Sequence, residues 1–216
     1  MIKLYSIPPS VYSAKVRLVL RAKGLAFEDV LPPGGYGSDD YKALVPYGTL
    51  PAIDHDGFLL ADSEAINEYL NELEPEPPLW PADTRERARA RMLARFHDTR
   101  LEPSLRALFG HVDPSRRDFD FVSSQTDRIM ERIEQLNRMA TPSPLLTGAR
   151  LSLCDCGYAI TLEMLSQLNA AMKLGVLLPE PIARYIAALR ADPVVAAELA
   201  TYGPALAAWI ASETGK

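Results

Sequence analysis

The 216 residues carry 23 lysines and arginines against 28 acids, a formal net charge of −5, with 48% hydrophobic and 24% charged residues. That is the composition of a globular chain with a buried core, long enough for one large domain or two small ones. The acidic balance speaks against nucleic acid or an anionic membrane as a partner. No apolar run approaches the roughly 20 residues that span a bilayer, and the opening Met1-Ile2-Lys3-Leu4-Tyr5 reads as a strand rather than a leader. Cys154 and Cys156 are the only cysteines, too few for a disulfide framework. Neither they nor His55, His97 and His111 stand at metal-ligand spacing. The reading is a cytoplasmic protein without a metal site.

In chain order, residues 2–7 suit a strand, 12–23 a helix closed by Gly24, and 27–31 a second strand. An ill-defined stretch follows. Residues 51–54 and 58–61 then read as a hairpin around Asp56-Gly57. Ser63 opens a helix with Ala65, Ile66, Tyr69, Leu70 and Leu73 on one face. Next comes Glu74-Pro75-Glu76-Pro77-Pro78-Leu79-Trp80-Pro81, whose prolines forbid regular pairing and mark a stiff linker. Beyond it nearly everything reads helical: 85–108, 121–139, 152–165, 181–191 and 194–200. The fold class is α/β plus all-α, with an opening order of β-α-β then β-β-α like that of a thioredoxin unit. The expected boundaries are 1–73 for the first domain, 74–82 for the linker and 83–216 for a helical bundle.

Three local features carry chemistry. Ser10 stands between the opening strand and its helix, where it can cap the helix or donate its hydroxyl to an anion at the helix N-terminus. Leu50-Pro51 enters a strand. A cis bond there would turn the Leu50 main chain outward to pair with a peptide ligand, whereas a trans proline would be an ordinary edge residue. Asp62-Ser63 begins a helix directly after a strand, and Ser63 can either cap it or share its free N–H groups with a ligand carboxylate.

In this order the three features resemble the glutathione-binding half of the cytosolic glutathione transferase superfamily. The likeness continues in Gly148-Ala149-Arg150-Leu151-Ser152-Leu153-Cys154-Asp155, which is similar to that family's glycine followed by a Ser-x-x-Asp capping box. The resemblance implies a serine-type member, with Ser10 at the catalytic serine of the zeta and tau classes. It implies that Leu50 and Pro51 pair with the cysteinyl part of glutathione, that Asp62 and Ser63 hold the γ-glutamyl end, and that Tyr12 lies against the tripeptide. Asp62 stands where the family has Glu or Gln, one methylene longer. Val11-Tyr12 stands where the zeta motif has Ser-Cys, so the class is unassigned.

The implied chemistry is attack of a glutathione thiolate on a small electrophile, as in detoxification. Tyr36, Phe96, Arg100 and Phe109 would wall the second substrate where the first domain faces the long helices. Glutathione-dependent isomerisation or dehalogenation, or a binding role without catalysis, are the alternatives. Arg87, Arg91 and Arg95 form a stripe at four-residue spacing that reads as a solvated face or as a homodimer contact. Glu64, Glu68 and Glu72 form a matching acidic stripe.

Overall fold

The computed structural model describes residues 1–215. Contacts divide the chain into Met1–Leu79 and Trp80–Lys216; the division falls inside the proline-rich stretch.

In the first unit β1 (Ile2–Tyr5), α1 (Val11–Ala22) and β2 (Phe27–Val30) form a parallel crossover. α2 (Asp39–Leu44), β3 (Ala52–His55), β4 (Phe58–Ala61) and α3 (Ser63–Leu73) complete it. The sheet order is β2-β1-β3-β4, with β1 parallel to β2 and antiparallel to β3. This is a thioredoxin-like arrangement. The β3–β4 hairpin turns at Asp56 and Gly57, both at positive φ (51° and 90°), the backbone that a two-residue hairpin of this hand requires. Ile2, Leu4, Ala52 and Ile53 of the sheet are buried, as are Val11, Ala14, Leu18, Ile66 and Leu70 of the helices.

Asn67, also on α3, is 1% exposed, and both its amide atoms lack a hydrogen-bond partner among the described residues. Burying such a group unpaired costs about 1–3 kcal/mol. Asn67→Leu, similar in size and apolar, is therefore expected to raise the midpoint of chemical denaturation. A lower midpoint would show that the amide is satisfied in solution.

The second unit comprises α4 (Thr84–Phe96), a π-helical turn (His97–Leu101), α5 (Glu102–Arg106), α6 (Phe119–Met139), α7 (Leu153–Met172), α8 (Glu180–Ala191) and α9 (Pro193–Thr214). Two expectations are corrected. The helix expected over 85–108 is interrupted by the π turn, because Pro103 has no N–H to give the carbonyl four residues back. The helix expected over 194–200 runs to Thr214, straight through Pro204. The expectation that no apolar run approaches a bilayer span is also corrected: α9 has 22 residues and an 18-residue window of mean hydropathy 1.4, long and apolar enough to cross a membrane by length and composition. It buries a single stripe, Val195, Glu198, Tyr202, Leu206 and Ile210, and packs on α7 and α8.

α7 is the central helix, buried at every one of its first ten residues. It approaches the π turn at Gly157, where an added Cβ would lie 2.6 Å from the His97 ring. That ring cannot easily withdraw. It bonds Asp98 Oδ1 and Thr161 Oγ1, each at 2.7 Å, and meets Tyr158 edge-on. Gly157→Ala is therefore expected to destabilise by about 1–3 kcal/mol through overpacking, outweighing the roughly 1 kcal/mol that alanine gains in helix propensity. Thermal unfolding would read this as a loss of several degrees. A gain would mean that the ring has room to move.

Candidate active site

The sheet register gathers the three sequence features. Tyr5 pairs with Ala52, and Ala52 with Ala61, so β1 ends, β3 begins and β4 ends at the same edge of the first unit. The segments that leave or enter there carry Ser10, Leu50-Pro51 and Asp62-Ser63. β1 and β4 stand two strand spacings apart, about 10 Å, close to the span of an extended tripeptide.

Ser10 is the N-cap of α1. Its Oγ accepts from the Ser13 N–H at 3.3 Å and from the Ser13 hydroxyl at 3.0 Å. Cap and donor were alternatives in the sequence; in the structure they are compatible. A hydroxyl has two lone pairs and one proton. Both pairs are engaged by the buried Ser13, which leaves the partly exposed Ser10 its O–H to give outward. Accepting two bonds also polarises that O–H and strengthens it as a donor. Beneath the Pro8-Pro9 turn, the buried Arg17 guanidinium donates to the Pro8 carbonyl and the Ser6 hydroxyl, both at 3.4 Å.

The Leu50–Pro51 bond is cis. Among the described residues, neither the N–H nor the C=O of Leu50 has a hydrogen-bond partner. The preceding turn is held by Tyr41 of α2, a short helix in the stretch that the sequence left undefined. Its phenol donates to the Thr49 carbonyl at 3.0 Å. Burial pushes the Tyr41 phenol up, so it stays a neutral donor.

At α3 the cap is Asp62, not Ser63. Asp62 Oδ1 accepts from the N–H groups of Glu64 (2.9 Å) and Ala65 (3.1 Å), with Asp62 itself at φ 78°. The shorter acid is suited to this, since its carboxylate stays beside the first turn. Ser63 becomes the first helical residue, 7% exposed, and neither its N–H nor its hydroxyl bonds any other described residue. Asp62 Oδ2 likewise has no described partner.

Tyr12 lies half-exposed on the first turn of α1, and Tyr36 is exposed in the loop before α2. In the second unit, Phe96 ends α4 and Arg100 is exposed on the π turn. Phe109 packs on Trp209 with ring centroids 4.9 Å apart, under the Arg106 guanidinium. The matching charged stripes are also engaged locally. Arg91 lies over the Trp80 ring, Arg87 donates to the Pro81 carbonyl, and Glu64 is paired with Lys15. The sequence reading passed over Lys15, Tyr41 and the pairing of Ser13 with Ser10. Only the last had a local signal, a serine three residues after a capping serine.

The sequence model of the "Glutathione S-transferase, N-terminal domain" family matches residues 4–78. A stringent starvation protein A homolog of Pasteurella multocida is 30% identical over 166 residues, 77% of this chain and 76% of that one. A maleylacetoacetate isomerase of Dictyostelium discoideum is 37% identical over 105 residues, and the match spans only 46% of this chain and 48% of that protein. Among solved structures, a tau-class glutathione S-transferase from mango superposes with a TM-score of 0.81 over 99% of this chain and 98% of its own, at 22% identity.

Proposed function

We propose that this chain, which belongs to the cytosolic glutathione S-transferase superfamily, binds glutathione along the common edge of β1, β3 and β4 and uses Ser10 to hold its thiol as the thiolate. The observation that carries this reading is the shared register of Tyr5, Ala52 and Ala61. It brings a hydroxyl donor, an unpaired strand-like main chain and a helix N-terminus to one edge, at the spacing of a tripeptide.

Each part of the ligand finds its chemistry. The N–H and hydroxyl of Ser63 are free to take the γ-glutamyl carboxylate, with the α3 dipole adding to the attraction. The second oxygen of Asp62 is free to take the α-ammonium. Leu50 pairs with the cysteinyl main chain as an added strand. Ser10 then meets the sulfur.

A free thiol, with pKa about 8.5, is mostly protonated at neutral pH. A hydrogen bond to the charged form contributes roughly 1.5–3 kcal/mol, which lowers the thiol by about one to two units. The proton leaves to solvent, and the thiolate attacks an electrophilic carbon. A C–S bond forms as the leaving group departs with its electron pair, giving a thioether. Tyr12, on the first turn of α1, is assigned to the tripeptide, and Tyr36 of the same unit to the second substrate. A cytoplasmic homodimer is part of the same reading.

A second reading, cis–trans isomerisation with glutathione regenerated, is favoured by the likeness to a maleylacetoacetate isomerase. A binding role is the third, since the relative matched over most of its length has a name that states no reaction. Incubation with glutathione and either an activated aryl chloride or a maleyl dicarboxylate separates them. The transferase reading expects thioether and chloride in equal amounts; the isomerase reading expects a trans product with no loss of thiol. Neither product above the uncatalysed rate, with glutathione bound, leaves the binding role.

A further inference from the structure

α1, capped by Ser10, and α3, which begins at Ser63, are joined by an ion pair. Lys15 Nζ lies 2.5 Å from Glu64 Oε2, with the lysine side chain 1% exposed and the glutamate 16%. Glu64 follows Ser63 directly and is held at both ends, its N–H by Asp62 Oδ1 and its carboxylate by Lys15. Lys15 stands five residues after Ser10, and its ammonium also lies 6.0 Å from the Tyr12 ring centroid.

Stability gives little reason for this pair. Desolvating an ammonium costs several kcal/mol, and apolar replacements of buried pairs are often neutral or stabilising. What an apolar contact lacks is direction: a charged hydrogen bond fixes where one helix sits along the other. In a site that takes one end of its ligand at Ser63 and the reacting sulfur at Ser10, that offset decides whether the sulfur arrives at the hydroxyl. Misplacement of reacting groups by about 1 Å can cost up to a hundredfold in rate.

We infer that the Lys15–Glu64 pair is a positioning device for the reaction: it sets the first turn of α3 against that of α1, so that glutathione held at Ser63 delivers its sulfur to Ser10. The inference rests on the glutathione reading above. Neither residue touches the reacting atoms; they act through Ser63 and Ser10.

Lys15→Met keeps most of the buried stem and removes the cation, while Lys15→Arg restores a cation that can reach Glu64. Each is titrated with glutathione by calorimetry, the bound thiol is titrated through its thiolate ultraviolet absorbance, and kcat and KM are measured with an activated aryl chloride. In Lys15→Met the glutathione Kd should move less than about threefold. The bound thiol should rise by roughly one pH unit and kcat should fall about tenfold, the same factor by either route. Lys15→Arg should recover most of both. If Lys15→Met is insoluble, Glu64→Gln, on the more exposed partner, carries the same test. Weaker binding and a lower Tm with an unchanged thiol and unchanged kcat would show a merely structural pair and overturn the inference. Absence of glutathione binding by the wild-type protein would overturn the underlying reading as well, and is seen before any variant is made.

Discussion

Asp155→Ala is expected to lose about 3–5 kcal/mol of stability, the largest effect of any single substitution considered. Asp155, fully buried near the start of α7, takes four donors. Oδ2 accepts from the Ser152 N–H (3.0 Å) and hydroxyl (2.5 Å), and Oδ1 from the Leu146 N–H (3.1 Å) and the Tyr185 phenol (2.7 Å). One carboxylate thus closes the capping box, anchors the loop before α7 and ties α7 to α8. Burial pushes its pKa up while all four bonds pull it down. Alanine would strand buried donors at about 1–3 kcal/mol each, relieved in part by the charge no longer desolvated and by water entering the space. Since whole domains hold only about 5–15 kcal/mol, the variant should unfold at much lower denaturant or accumulate insoluble. Tyr185→Phe, which removes one donor of the four, should cost only about 1 kcal/mol. A loss below about 1 kcal/mol for Asp155→Ala would mean that the hub is not what holds these helices.

Ser10→Ala is expected to lower turnover by about one to two orders of magnitude, the size of one charged hydrogen bond in the rate. The same substitution removes the α1 cap and strands the Ser13 donors, so about 1 kcal/mol of stability should go with it. The pH profile separates the two effects. With the hydroxyl gone, the bound thiol returns toward its free value of about 8.5. The alkaline rise of kcat/KM should then shift upward by about one to two units, and the deficit should shrink at high pH. Ser13→Ala provides the control, since it removes one bond into Ser10 but leaves the outgoing O–H, and should slow turnover only a few-fold. A uniform loss across pH would assign Ser10 to the cap alone.

Much of this was legible in the sequence, for reasons that are local. The Asp56-Gly57 turn and the Ser152–Asp155 box are short-range patterns, and each formed where expected. Of the face expected on α3 only Ile66 and Leu70 are buried, with Ser63 and Asn67 beside them, while Ala65 and Leu73 are exposed. α2 was not legible, because six residues set among Pro32, Pro33, Gly34, Gly35 and Gly37 carry too little periodicity to stand out. α9 ended too early in the sequence because Gly203-Pro204 looks like a terminus. In the folded chain the helix is held on both sides of it by packing on α7 and α8. The order of Asp62 and Ser63 as cap and first residue depends on a positive φ that no propensity announces. Hardest of all was the wiring between segments. Lys15 and Glu64 are 49 residues apart, and Tyr41 reaches forward to a loop whose position is fixed only once β3 has joined the sheet.

The central claim is that the edge shared by β1, β3 and β4 is a glutathione site. Calorimetric titration of the wild-type chain and of Ser63→Ala with glutathione tests it most directly. The account predicts saturable binding between micromolar and millimolar, and at least tenfold weaker binding by the variant, since the carboxylate loses a charge-assisted bond of about 1.5–3 kcal/mol. No heat at millimolar glutathione, together with no rise in Tm on its addition, or binding that Ser63→Ala leaves unchanged, would contradict it.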